Sequence, residues 1–204
     1  MTYQDYILRH IQQAGRVWAQ IVRMIKDRKF EAARMVLDQA CRQLVGLSPE
    51  TVLERNPNDL IARLRFDETP AAGRDKCLAL ATLLRALGDL TAAHGDSVTA
   101  AEAYHLALLL VLDSALRDPD LTLPADVPTV ESLDSELSAH SLPITTQQQQ
   151  LLYYEQAGDY AYSVGLHLVV DIKAGAVPQC DVNVDAELDG ELTKWMMSAL
   201  GAPD

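Results

Sequence analysis

Apolar side chains along this chain recur mainly at the three- and four-residue spacing of an α-helix. The first such pattern begins near Tyr6 and comprises Ile7, Ile11, Ala14, Val17, Trp18, Ile21 and Ile25. The same spacing predicts a second helix over Phe30–Val45, with Gly46 as its C-cap. Because only residues 26–29 separate the two patterns, we expect an antiparallel helical hairpin over residues 3–46.

Prolines and one long apolar run organise the rest of the chain. Pro49, Pro57 and Pro70 break residues 48–72 into short pieces, which we expect to be a connector with short helices. Two long helices over residues 72–93 and 97–117 are then predicted to form a central hairpin, and the second is apolar on every side over residues 106–112, which predicts burial all round. Further patterns predict helices over residues 130–139, 145–157, 160–174 and 184–200.

Composition supports an all-α fold in a single domain over residues 1–204. Ala and Leu occupy 58 positions, whereas Ile, Val and Phe occupy only 24. This ratio favours strong helix formers over the β-branched and aromatic residues that are typical of strands.

Charge is distributed unevenly within a formal total of −12. Residues 1–66 carry 11 basic and 7 acidic side chains, and residues 67–204 carry 6 and 22. Nucleic-acid binding depends on phosphate neutralisation by Lys and Arg, so residues 67–204 should repel nucleic acid, and only residues 1–66 could bind a polyanion. We expect no nucleic-acid partner.

Cysteine usage and hydropathy suggest a soluble cytoplasmic protein. Cys41, Cys77 and Cys180 lie far apart and form no CxxC pair, which fits a reducing compartment and predicts neither a disulfide framework nor a zinc site. The N-terminus lacks the apolar region of a secretory signal, and the longest apolar run is far shorter than the ~20 residues of a membrane span. We therefore expect no membrane association.

One segment, residues 81–114, carries a recognisable repeat pattern. Its matching residues are Leu84, Leu87, Gly88, Ala100, Tyr104 and Ala107. With this spacing the segment resembles a tetratricopeptide repeat (TPR), in which small residues let two helices approach and a large one fills the space beside them. The segment departs from the pattern at Thr91, where an aromatic is usual, and at Leu112, where the terminal proline is missing.

Weaker matches to the same pattern occur around Phe30 and around Tyr154. The chain therefore resembles an irregular TPR-like array of helical hairpins over residues 3–46, 72–117 and 145–200, the last including the final helix. Its opening residues 5–11, followed by such a hairpin, are also similar to a bacterial helical family of uncharacterised function. The TPR resemblance implies a scaffold that holds a peptide or a helix in a groove.

Two groups of residues are candidate partner-binding positions. Arg9, Arg16 and Arg23 are seven residues apart and nearly aligned on the polar face of the first helix, which suggests a docking stripe for an acidic partner. Tyr153 and Tyr154 offer large contact area with a hydroxyl and suggest a groove lining. A solvated helix face and hairpin packing are the respective alternatives.

No catalytic constellation, metal site or cofactor motif is predicted. Asp181, Asn183 and Asp185 match the first ligand positions of a calcium-binding loop, but Ala186 replaces the required glycine and Leu192 replaces the bidentate glutamate. The five histidines form no paired metal motif, and no phosphate-binding loop or esterase elbow is present.

The sequence thus favours a non-enzymatic scaffold or adaptor that binds another protein or a second copy of itself. The alternative is a small-ligand-binding or metal-binding protein, or an enzyme, that uses an acidic C-terminal pocket of Asp159, Asp171, Asp185 and Glu187. A third hypothesis pairs the arginine stripe with the acidic region of a second copy, which predicts a salt-sensitive oligomer.

Overall fold

The computed structural model describes residues 3–158, with side chains from residue 11 onward. These residues form eight α-helices and no β-strand, which confirms the all-α class. The helices are α1 (Tyr3–Lys26), α2 (Phe30–Val45), α3 (Pro49–Leu53), α4 (Pro57–Arg65), α5 (Pro70–His94), α6 (Ser97–Arg117), α7 (Val130–Leu137) and α8 (Ile144–Ala157). The helices predicted over residues 160–174 and 184–200 lie outside the described residues.

The chain divides into two compact units. The first ends at Ser141 and contains α1–α7, and the second begins at Leu142 and contains α8. Within the first unit, α1 contacts α2 and both contact α5, while α5 contacts α6. The hairpins predicted over residues 3–46 and 72–117 are therefore present, whereas their TPR-like arrangement and the single domain over residues 1–204 stay predictions.

The short helices expected between the prolines of residues 48–72 are present, and each of the three prolines begins a helix. Pro49, Pro57 and Pro70 each occupy the first turn of a helix, where a missing N–H leaves no hydrogen bond unmade. A polar residue precedes each proline and caps the helix, as Thr69 does by accepting from the backbone N–H of Ala72 at 3.2 Å. α5 consequently begins at Pro70, two residues before the start at residue 72 that the apolar pattern predicts.

The core is centred on α5 and α6. In α6 the side chains of Leu106, Leu108, Leu110, Val111 and Leu112 are at most 5% exposed, so the predicted burial of this segment is confirmed, although Leu109 is only half-buried. Among the described helices, α6 is also the one whose length and mean hydropathy of 1.3 would suit a membrane span. Because 56% of that window is buried within the protein, as in core helices of soluble proteins, this finding is weak evidence for a membrane.

The two central helices meet at a glycine. A Cβ atom placed on Gly88 would lie 2.4 Å from Cε1 of Tyr104, so the tyrosine ring of α6 lies directly against the backbone of α5. Tyr104 is 5% exposed and Ala100, one turn before it, is 4% exposed. The predicted packing of small residues beside a large one is therefore observed in this hairpin.

A carboxylate next to this glycine joins three helices. Asp89 of α5 accepts a hydrogen bond from Nε1 of Trp18 in α1 and another from the hydroxyl of Tyr104 in α6, each at 2.9 Å. The guanidinium of Arg85 lies 4.6 Å from the centroid of the Trp18 ring, at cation–π distance. Burial, together with the negative charge of Asp89, raises the pKa of Tyr104, so its hydroxyl stays protonated and acts as the donor.

We predict that Gly88→Ala destabilises the protein by about 1–3 kcal/mol, because the added methyl group collides with the Tyr104 ring. In a Tyr104→Ala background the collision is absent, and the same change should stabilise α5 by up to ~1 kcal/mol through helix propensity. Urea unfolding of the four proteins, followed by circular dichroism, measures both effects. An equal effect of Gly88→Ala in the two backgrounds would contradict this packing.

We also predict that Asp89→Asn lowers the free energy of unfolding by about 1–3 kcal/mol. The asparagine keeps one acceptor oxygen, but its NH₂ group would face the second of the two donors, Trp18 Nε1 or the Tyr104 hydroxyl. Asp38→Asn is the matched control, since Asp38 forms an exposed pair with Arg42 at 2.8 Å that contributes about 0–1 kcal/mol. Urea unfolding of both variants is the measurement. Equal losses in the two variants would show that Asp89 does not join the helices.

Candidate binding cleft

An open cleft of about 240 Å³ lies in the first unit, where four helices meet. It is formed by the start of α2, by α3, by the last turns of α5 and by the start of α6. Gly46 and Gly95 end α2 and α5 with φ angles of +74° and +93°, which lets the chain turn sharply after each of these helices. The cleft is therefore built by non-local packing of short chain segments.

The floor of the cleft is apolar. It consists of the side chains of Phe30, Leu53, Leu87 and Leu90. Leu87 and Leu90 are only 6% and 5% exposed, so they are held by the core of the unit. The ring of Phe30 makes an edge contact with His94 at a centroid distance of 5.5 Å.

The rim of the cleft is predominantly acidic. Glu31, Glu50 and Asp96 supply three carboxylates, and Arg34 supplies one guanidinium. Arg34 donates to Glu50 across the rim at 2.7 Å, which connects α2 to α3. Glu31 and Asp96 leave a local excess of negative charge.

Hydrogen bonds keep two of these carboxylates ionised. The Asp96 carboxylate caps α6, and hydrogen bonds from the side chain and backbone N–H of Thr99 hold its pKa below the ordinary value. A hydrogen bond from its own backbone N–H, assisted by Arg34, likewise lowers the pKa of Glu50. The rim consequently keeps its negative charge as the pH falls toward the ordinary titration range of carboxyl groups.

Thr91 leaves the cleft open at the end of α5. Its hydroxyl donates back to the carbonyl of Leu87 at 2.9 Å and to that of Gly88 at 3.2 Å, so the polar atom is satisfied within its own helix. At this position the repeat pattern has an aromatic residue. The departure from that pattern at Thr91 is therefore a signal in the sequence that marks the cleft.

The candidate partner-binding residues lie on α1 and α8. Arg16 and Arg23 are exposed on α1, in agreement with a surface stripe, and the side chain of Arg9 lies outside the described residues. In α8, Tyr154 is 3% exposed and makes an edge contact with the half-buried Tyr153 at 5.1 Å. Burial leaves Tyr154 little surface for a partner.

The acidic residues of the alternative hypothesis, Asp159, Asp171, Asp185 and Glu187, lie outside the described residues, as does the calcium-like segment from Asp181 to Leu192. Within residues 3–158, no group of three or more His, Cys, Asp or Glu side chains is placed to hold a metal ion. The metal and small-ligand hypotheses therefore stay untested predictions.

A second polar cluster joins α4, α5 and α6 beneath Cys77. Asp113 accepts from Arg65 at 2.6 Å and from Arg117 at 2.8 Å, and the Arg65 and Asp113 side chains are 21% and 13% exposed. Arg74 similarly bridges to Asp118 at 2.5 Å. The partly buried Arg65–Asp113 pair connects α4 to α6, and the Arg74–Asp118 pair connects α5 to the residue that caps α6.

Comparisons with protein-family models, with curated proteins and with solved structures find no match for this chain. The TPR resemblance therefore rests on the sequence pattern itself, chiefly on the residues of the 81–114 segment. Function has to be inferred from the geometry of the cleft and the chemistry of its lining.

We predict that Cys41 and Cys77 do not react with thiol reagents in the folded protein. They are 1% and 0% exposed, and burial raises their pKa to about 12 and about 11. At pH 8 the thiolate fraction of Cys77 is then roughly 100-fold below that of an ordinary cysteine, in addition to the block on access.

The measurement uses a Cys180→Ser variant, which leaves these two thiols, and an aromatic disulfide reagent followed by absorbance. Two thiols per chain should react in denaturant and essentially none in buffer. Fast reaction of either cysteine in the folded protein would contradict the burial and would point to thiol chemistry.

Proposed function

We propose that this protein is a non-enzymatic helical scaffold, located in the cytoplasm, whose cleft binds a large apolar side chain flanked by a basic residue on a protein partner. The observation that carries the proposal is the combination of an apolar floor with an acidic rim around about 240 Å³. The buried, reduced state of Cys41 and Cys77 fits a reducing compartment.

The size of the cleft favours a single protein side chain, rather than an organic cofactor, as its ligand. Sites for drug-sized ligands and cofactors usually enclose about 300–1,000 Å³, and this cleft is smaller and open. One large aliphatic or aromatic side chain fills such a volume, and its burial contributes ~1.5–3 kcal/mol. Binding through one anchor is weak, so the rim has to add both affinity and selectivity.

The charge of the rim selects the residues beside that anchor. Arg34 is engaged with Glu50, whereas Glu31 and Asp96 project additional carboxylates at the same opening. A lysine or arginine next to the apolar anchor would approach these carboxylates, and an acidic residue would be repelled. The exposed rim makes this contribution sensitive to salt.

The polar groups of the cleft favour binding over catalysis. The Thr91 hydroxyl is directed to the backbone of its own helix, and Asp96 caps α6. The His94 ring contacts Phe30, and hydrogen bonds lower the pKa of the Glu50 and Asp96 carboxyl groups. These groups are used for structure and for charge, which supports a recognition role.

The proposal predicts a ranked affinity for short fluorescent peptides with a central phenylalanine. Peptides with flanking arginines should bind best, those with flanking serines about tenfold more weakly, and those with flanking glutamates more weakly still. Fluorescence anisotropy of the full chain at low salt measures the order. Raising the salt concentration should reduce the advantage of the arginine peptides.

A matched pair of variants locates the binding. Thr91→Tyr adds a ring that fills the cleft and should weaken the binding of the arginine-flanked peptide at least about tenfold. Ala92→Tyr adds the same ring on the next, exposed residue of α5 and should leave binding unchanged. Equal affinity for arginine and glutamate peptides, or full binding by a folded Thr91→Tyr variant, would overturn the proposal.

A further inference from the structure

Among the side chains that the structure describes, Phe66 is the most exposed large apolar one, at 82%. It caps the C-terminus of α4, where the chain leaves the helix with a ψ angle of 129°. Asp67 then adopts a φ angle of +59°, a conformation that non-glycine residues rarely adopt. An aromatic ring is thus displayed at the tip of a tight turn between α4 and α5.

Ion pairs on both sides hold this turn in place. Arg65, directly before Phe66, is bound to Asp113 of α6 at 2.6 Å. Glu68, two residues after it, is bound to Lys76 of α5. Because the side chains of all four residues are at most 30% exposed, the turn is fixed to the core while the ring points away from it. Because the backbone of the turn is already ordered, binding through this ring costs little further backbone entropy.

The surroundings of Phe66 complement the cleft in charge. Arg63, one turn earlier on α4, is exposed and makes no ion pair with the described residues. Asp67, directly after Phe66, carries the opposite charge, so the favourable orientation is the one that turns Arg63, and not Asp67, toward the carboxylates of Glu31 and Asp96. The chain therefore displays an aromatic side chain with an exposed basic residue one turn away, which in that orientation is the ligand chemistry that the apolar floor and acidic rim select.

We propose that the partner of the cleft is a second copy of this chain, with Phe66 of one copy inserted between Phe30, Leu53 and Leu90 of the other. In this arrangement Arg63 faces the carboxylates of Glu31 and Asp96. This inference rests on the proposed function, because it requires that the cleft accepts an apolar anchor. Each copy carries one anchor, Phe66, and one cleft. Two copies can therefore exchange anchors in a closed dimer, or several copies can be linked head to tail.

The test is sedimentation velocity of the full chain from about 1 to 200 µM, at about 50 and 500 mM salt. The protein should self-associate, more weakly at high salt, and Phe66→Ala should weaken association at least about tenfold. Met35→Ala removes a side chain that is 73% exposed elsewhere and should have no effect. Phe66 makes little contact with its own chain, so its removal should leave the melting temperature unchanged.

A mixing experiment identifies the two surfaces as partners. Phe66→Ala retains an intact cleft and Thr91→Tyr retains an intact anchor, so each variant alone should be monomeric while their mixture associates. A wild-type chain that stays monomeric, a Phe66→Ala variant that associates like wild type, or a mixture that stays monomeric overturns the proposal.

The peptide measurements separate this failure from a failure of the proposed function. If arginine-flanked peptides bind in a manner that Thr91→Tyr abolishes, while the chain itself is monomeric, the cleft binds a foreign partner and only the self-association is wrong. If those peptides do not bind either, both proposals fail.

Discussion

One half-buried carboxylate, that of Asp89, determines how the central helices fit together. It accepts hydrogen bonds from α1 and from α6 at the same time, so each helix is fixed along its axis relative to α5. The preceding residue, Gly88, provides the space in which the Tyr104 ring lies. The hydrogen-bond acceptor, Asp89, and the space for the ring, at Gly88, come from consecutive residues. A shift of α6 along α5 would therefore break the hydrogen bond and at the same time create a steric clash.

The same turn of α5 determines the cleft. Each residue of an α-helix turns by about 100°, so Asp89 points roughly opposite to Leu87, while Leu90, Thr91 and His94 follow at the three- and four-residue spacing of one face. One face of the turn therefore holds α1 and α6, and the other face forms the cleft floor. The position that Asp89 gives to α6 also places Asp96 and Thr99 at the rim.

The periodicity of apolar residues was sufficient to predict the long described helices, because helix formation depends on neighbours a few residues apart. The short helices α3 and α4 were expected from the prolines that separate them. The pairing of Gly88 with Tyr104 was also predictable, since it follows from spacing within one hairpin. The Trp18–Asp89 hydrogen bond joins residues 71 positions apart, and the cleft joins four separate segments. Such contacts follow from tertiary packing, which no local pattern specifies.

Net charge proved to be an incomplete guide to the surface. Residues 1–66 are basic overall, yet two of the three rim carboxylates, Glu31 and Glu50, belong to this region. Several of its arginines are occupied within the first unit, as Arg34, Arg42 and Arg65 are by nearby carboxylates. Association through the arginine stripe and association through Phe66 would both weaken with salt, so salt dependence alone does not separate them. Only association through Phe66 also requires an apolar anchor, because the side chain has to occupy the floor of the cleft.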